Sequence, residues 1–284
     1  MPNSLRRRTA ALRRRYTGEL SEASGRAVRP SRTGLGLDDC SPQQQRLRAL
    51  LALGWFNTDP HTPAGNWCAH GVFSYTLVPS PRHDSLVLYT NSAWGVVCWL
   101  VPGEGDWPAR IPGLRFESGD GYTWRLRHLP TGSTLIVTEE HDPGEAENGY
   151  EPPSRIRRLS VGMTDAEYTA LEKVPDMSPA ATRLLGALAM RVSLRDPSET
   201  WAVGGWFSDP LDRTPGRSVA YLERRLNGAG DEWELAWTGY PFPDDLAAAL
   251  THPTAGLPDT SGLRIRDGWA LRHGSATLRL CSLE

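Results

Sequence analysis

A chain of 284 residues is enough for one large domain or two ordinary ones, and 39% hydrophobic against 23% charged residues is a globular balance. Four scattered cysteines, Cys40, Cys68, Cys98 and Cys281, form no CxxC pair, which excludes a disulfide scaffold and points to reduced thiols in a cytoplasmic setting. The longest apolar stretches, 49–56 and 96–101, are far shorter than the about 20 residues a membrane-spanning helix needs, so no membrane span is expected, and the basic N-terminus lacks the apolar stretch of an export signal.

The formal net charge of −2 conceals two regions. Residues 1–33 carry nine arginines against Glu19 and Glu22, a balance of +7, which leaves −9 for the rest. Lys173 is the only lysine, the bias a GC-rich, actinobacterium-like genome would write, so not every arginine is a selected ligand.

In the N-terminal stretch Leu5, Thr9, Leu12 and Tyr16 recur at helical spacing between two arginine triplets. Few large apolar residues accompany them, so residues 1–36 read as a flexible basic arm and linker, separable from the fold. Arg6, Arg7, Arg8, Arg13, Arg14 and Arg15 are the candidate polyanion contacts, because clustered guanidinium groups attract phosphate and acidic surfaces without sequence preference.

Beyond the arm the chain repeats itself. Ser41-Pro42 and Ser178-Pro179 each open an apolar helix, with Ser as N-cap and Pro at the first helical position. The helices match at an offset of 137: Arg46-Leu47 with Arg183-Leu184, and Leu51–Leu53 with Leu188–Met190. Further pairs follow in order: Trp67, Phe73, Ser74 and Leu77 with Trp201, Phe207, Ser208 and Leu211; Trp99 with Trp237; Gly113–Phe116 with Gly262–Ile265; and Trp124, Leu126, Arg127 and His128 with Trp269, Leu271, Arg272 and His273. Residues 71–78, 85–90, 96–101, 122–128 and 134–138 read as strands, with 96–101 central because it is apolar on both faces. In the second copy Trp233, Leu235 and Trp237 alternate with Glu232, Glu234 and Ala236, 218–226 is ambiguous between strand and helix, and 244–251 reads as an inserted helix. The fold expected is α+β: two tandem diverged repeats, each a helix followed by a mostly antiparallel sheet. The first repeat spans 37–140. An acidic, Pro-rich linker spans 141–160, and the second repeat, 161–284, begins with a helix at the capping box Thr164–Glu167.

Patterns that carry chemistry are sparse. The GxSxG elbow, Walker A loop, HExxH and dinucleotide glycine pattern are absent. His128 and His273 occupy equivalent strand ends, and with Arg127 and Arg272 they are the catalytic candidates, although a half-buried histidine closing a hairpin is the more ordinary explanation. Cys68 and His70, with His61 and Cys40 upstream, lack the two tight ligand pairs of a zinc site. The acidic run 139–142 lies in the linker, where solvated charge is the ordinary explanation. No metal and no cofactor are expected. Trp94 and Trp107 fall in expected loops and are candidate partner contacts.

The leading expectation is a non-enzymatic binding or adaptor protein whose basic arm meets a polyanion, either nucleic acid or an acidic protein assembly. One alternative is a nucleic-acid-acting enzyme, a nuclease or toxin-like effector, that uses the repeated Arg-His strand ends. Another is an arm that targets the body into a larger assembly.

Overall fold

The computed structural model describes residues 2–19, 34–58, 67–103, 110–139, 151–204 and 223–283. After the N-terminal helix α1 (Pro2–Thr17), the first unit runs α2 (Pro42–Trp55), β1 (Thr76–Pro81), β2 (Ser85–Thr90), α3 (Ala93–Leu100), β3 (Leu114–Gly119), β4 (Thr123–His128) and β5 (Ser133–Thr138). A short helix α4 (Asp165–Glu172) intervenes. The second unit repeats the order: α5 (Pro179–Ala189), β6 (Arg224–Ala229), β7 (Glu232–Trp237), α6 (Pro243–Thr251), β8 (Thr260–Ile265), β9 (Gly268–His273) and β10 (Ala276–Ser282).

The two sheets have the same topology, β1-β2-β5-β4-β3 and β6-β7-β10-β9-β8. Each contains one parallel pair, β2 with β5 and β7 with β10, and is otherwise antiparallel. The chain is therefore an α+β protein of two similar halves, as the ordered sequence matches imply. The predicted caps are present: Ser41 accepts from the Gln44 amide, Ser178 from the Ala181 amide, and Thr164 and Glu167 form a full capping box.

The alignment of the halves needs three corrections. Residues 96–101 are not a central strand: Ala93–Leu100 is a helix capped by Ser92, whose hydroxyl accepts from Gly95 N at 3.2 Å. A short run that is apolar all round has no periodicity to separate the two states, so the cap decides. Trp99 is therefore helical while Trp237 ends a strand, and their pairing fails. The 244–251 helix is no insertion, since α6 is the counterpart of α3. Finally, Leu114 stands opposite His128 and Thr260 opposite His273, so Phe116 corresponds to Gly262 and the earlier β3/β8 match was three residues out of register. The β4/β9 match holds residue for residue: Trp124 opposes Val137 as Trp269 opposes Leu280. Of the 71–78 run, His70–Ser74 is a 3₁₀ turn and the strand begins at Thr76. The described part of 218–226 is strand. Phe207, Ser208 and Leu211, residues 20–33 of the expected arm linker, and 140–150 of the acidic linker lie outside the described residues.

One continuous core serves both halves. At its centre α2 and α5 pack together, and Gln45 Nε2 donates to the carbonyl of Thr182 at 3.2 Å. Those two positions are counterparts under the 137-residue offset, so the two helices touch at equivalent points. Gly186 permits the approach, since a Cβ there would stand 2.5 Å from Gln45 Nε2.

α1 is not separable from this body, contrary to the composition-based expectation. Its Thr9, Ala10, Arg13 and Thr17 are buried, and Leu12 and Tyr16 pack on the core. Arg13 is 1% exposed and donates to Glu19 at 2.8 Å and to the Pro81 carbonyl at 2.8 Å, in the first half. The Tyr16 carbonyl accepts from Arg195 N at 2.9 Å, and its ring lies 5.4 Å from His252, both in the second half. α1 therefore clasps the two units. Replacing Arg13 by Met leaves Glu19 buried without its partner, which costs about 3 kcal/mol or more. The urea midpoint of Arg13→Met should fall accordingly, and Arg13→Met/Glu19→Leu should recover a large part of the loss.

Candidate functional site

The outer face of α1 is the most charged feature that the fold holds in a fixed geometry. Arg7, Ala11 and Arg14 succeed one another at helical spacing, as do Arg8, Ala11 and Arg15, and all five residues are exposed. Arg6 is also exposed, on the flank. No described carboxylate lies within ion-pair distance of Arg7, Arg8, Arg14 or Arg15. Arg14 and Arg15 occupy the last turn, where the helix dipole favours cations. Of the six predicted polyanion contacts, Arg13 alone points inward and serves as the anchor of the other five. Its position four residues after buried Thr9 and four before buried Thr17 was the available signal.

The Arg and His side chains of each strand end do not converge. His128 is fully buried: its Nε2 donates to the Pro112 carbonyl at 3.0 Å, and its Nδ1 accepts from the Thr131 hydroxyl at 2.9 Å. Burial drives its pKa down to about 4 against the pull of that carbonyl, so the ring is neutral at pH 7. Arg127, next along the strand, points to the opposite face, where it binds Glu117 at 2.7 Å and the Gly132 carbonyl at 2.9 Å. In the second half His273 meets the Thr260 hydroxyl at 3.2 Å and its pKa is also lowered, chiefly by burial, while Arg272 is exposed. Each histidine fastens its strand to the preceding segment.

Trp94 is not in a loop. It lies half-buried in the first turn of α3, 5.6 Å from the Trp124 ring and 4.4 Å beneath the Arg155 guanidinium. Trp107, His61 and the 140–142 part of the acidic cluster lie outside the described residues.

The structure adds two arrangements. Cys68 Sγ stands 2.6 Å from His70 Nδ1, with the His70 ring 5.1 Å from Trp99. Burial first, then Arg224 and Arg110, push the His70 pKa down to about 4, leaving a neutral acceptor beside the thiol. A base beside a thiol is half of a nucleophilic constellation, but no described residue orients the other ring nitrogen of His70. The spacing of two was visible in the sequence, but the contact depends on the 3₁₀ turn that starts at His70. The second arrangement is a cleft of about 570 Å³ between the halves, lined by 34–40, the first turns of α2 and α5, Arg183, Arg191 and 256–258. Its floor is the Arg191–Asp38 pair, bidentate at 2.8 and 2.7 Å, which uses up both groups. Among the described residues no three or more His, Cys, Asp or Glu side chains gather as a metal would require, and no helix is long and apolar enough to cross a membrane.

No family model, curated protein or solved structure matches the chain. The functional reading therefore rests on the residues themselves.

His128 generates a pH prediction. The unfolded imidazole titrates near 6.5 and the folded one near 4, so between these values the unfolded state binds the extra proton and stability falls as pH falls. The loss available from this one group is about 3 kcal/mol. Urea midpoints measured from pH 7 to pH 4 should fall less steeply for His128→Gln than for the parent, from whatever midpoint the variant has at pH 7.

Proposed function

We propose that the chain is a non-enzymatic binding protein that presents the arginine ridge of α1 to a polyanion, with a nucleic-acid duplex as the favoured partner. One observation carries this reading: four solvent-facing guanidinium groups, at 7, 8, 14 and 15, share one ridge of a helix whose opposite face is locked to the first half by buried Arg13 and to the second by Tyr16. Seven residues of helix separate the two arginine pairs by about 10 Å along the axis, a spacing at which a duplex offers phosphate charges continuously. Anchoring matters here, because a docked helix does not lose the ordering entropy that a loose arm would lose on binding.

Such binding is largely indifferent to sequence, since contacts to the phosphate backbone carry no sequence information. It weakens with salt. Four neutralised phosphates give a slope of log K against log salt of roughly −3 to −4 on a duplex. Fluorescence anisotropy on unrelated DNA and RNA duplexes across a salt series should show this slope, with near-equal affinities. The variant with Arg7, Arg8, Arg14 and Arg15 all changed to Gln retains the Arg13 anchor and should lose most of the binding. Equal affinity of variant and parent would place the site elsewhere. Absence of binding by both at low salt would remove nucleic acid and leave an acidic protein surface as the partner.

A further inference from the structure

The two halves share a topology but differ at one sheet edge. In the first half β3 is covered by the segment 155–159, with the sequence Arg-Ile-Arg-Arg-Leu. Phe116 N donates to the Arg157 carbonyl at 2.9 Å, and Leu159 N donates to the Phe116 carbonyl at 2.7 Å, so the segment adds to the edge through one parallel bridge centred on Arg158, between two turns. Its side chains complete the fit. Ile156 is buried, Arg155 lies 4.4 Å over the Trp94 ring, and Arg157 binds the Glu167 carboxylate at 2.9 Å. Under this cover Leu114, Arg115 and Phe116 are all buried.

The equivalent edge, β8, has no such cover among the described residues. Ser261, Gly262, Leu263 and Arg264 are all exposed, Leu263 by 68%. Gly262 stands opposite Leu271 as Phe116 stands opposite Leu126, so its N–H and C=O turn outward as those of Phe116 do. No described residue hydrogen-bonds them. An open edge of this kind is a template for strand addition, and β8 has no proline to block it. Around it, at other positions, lie groups of the two kinds that hold the covering segment in the first half: an aromatic ring, Trp269, and a carboxylate, Asp244. At present the edge strand's own Arg264 meets both, pairing with Asp244 and lying 5.8 Å from the Trp269 ring. That side chain is 66% exposed, so its contacts are weak and replaceable. Exposed Phe242, just before α6, adds a further apolar surface.

We propose that the β8 edge is a docking site for an extended, arginine-bearing segment of a partner protein, which adds to the second sheet as 155–159 adds to the first. Main-chain hydrogen bonds at Gly262 supply the register. An apolar residue of the segment covers Leu263, and its arginines take over Trp269 and Asp244 from Arg264. The site is separate from the arginine ridge of α1 and makes the opposite demand on its partner's charge.

The test uses the full chain and a synthetic peptide of residues 154–161, with amide hydrogen exchange read by mass spectrometry. Saturable binding should slow exchange within 260–265 by about tenfold or more at saturation. The same peptide with its arginines replaced by alanine should bind at least about tenfold more weakly. Gly262→Pro removes the outward amide at a position where an edge strand tolerates proline and should abolish the protection, and Leu263→Lys should weaken it. Melting temperatures confirm that both variants fold. Unchanged exchange at β8, protection at β3 instead, or undiminished binding by Gly262→Pro would each overturn the proposal. So would β8 protection that grows with protein concentration without peptide, because the occupant would then be a second copy of this chain.

Discussion

The contact of α2 with α5 is the constraint from which the rest of the molecule follows. Each five-stranded sheet has an apolar face that one helix and a short crossover helix cover only in part, and the two partly covered units complete one another. Gly186 leaves room for the Gln45 amide, which bonds the Thr182 carbonyl at the counterpart position. Once the helices cross there, the segments leading into them, 34–40 among them, are forced into the seam. Arg191 and Asp38 then meet within it, and α1 can reach both halves at once.

The two halves are alike at that contact and differ at the rim. In the first half Glu167 gathers Arg115, Arg157 and the amides of Gly113 and Thr164. Burial alone would raise its pKa, but those donors outweigh burial and hold it at about 2, so the carboxylate is charged throughout the physiological range. This single group pins α4 and the covering segment to β3. At Arg115's counterpart position the second half has Ser261, which carries no charge to hold a buried carboxylate ionised. The contrast between a sealed edge and an open one thus reduces to what stands at two matched positions, Arg115 against Ser261 and Phe116 against Gly262.

What the sequence made legible was local. Ser41, Ser178 and Thr164 announce helix starts because each cap bond closes within three residues, and β4 and β9 align because Trp, Leu and His recur at a period of two with Arg before each His. Features that depend on distant partners were hidden. Arg13 reads as a surface charge until Pro81 and Glu19 are placed around it. The 96–101 run reads as a strand because nothing in its own pattern reports the Ser92 cap. The slipped β3/β8 match came from a Gly-Leu-Arg repeat by chance, while the true register depends on pairing with β4 and β9. The Cys68–His70 contact is a matter of turn geometry that spacing does not encode.

Five arginines, 13, 48, 115, 191 and 224, are among the largest fully buried side chains. Each is bonded to main-chain oxygens far along the chain: Arg48 joins the carbonyls of Leu37 and Arg82, Arg191 that of Ala255, and Arg224 that of Trp55. A guanidinium has five donors in a rigid fork and does not deprotonate in water, so it fastens several segments at one point. Small folds often obtain such long-range fastening from disulfides, yet all four cysteines here are free. The staples of this protein are therefore cross-links that no reductant opens and no oxidant is needed to form, and lysine, with one compact ammonium in place of the fork, would not substitute for them.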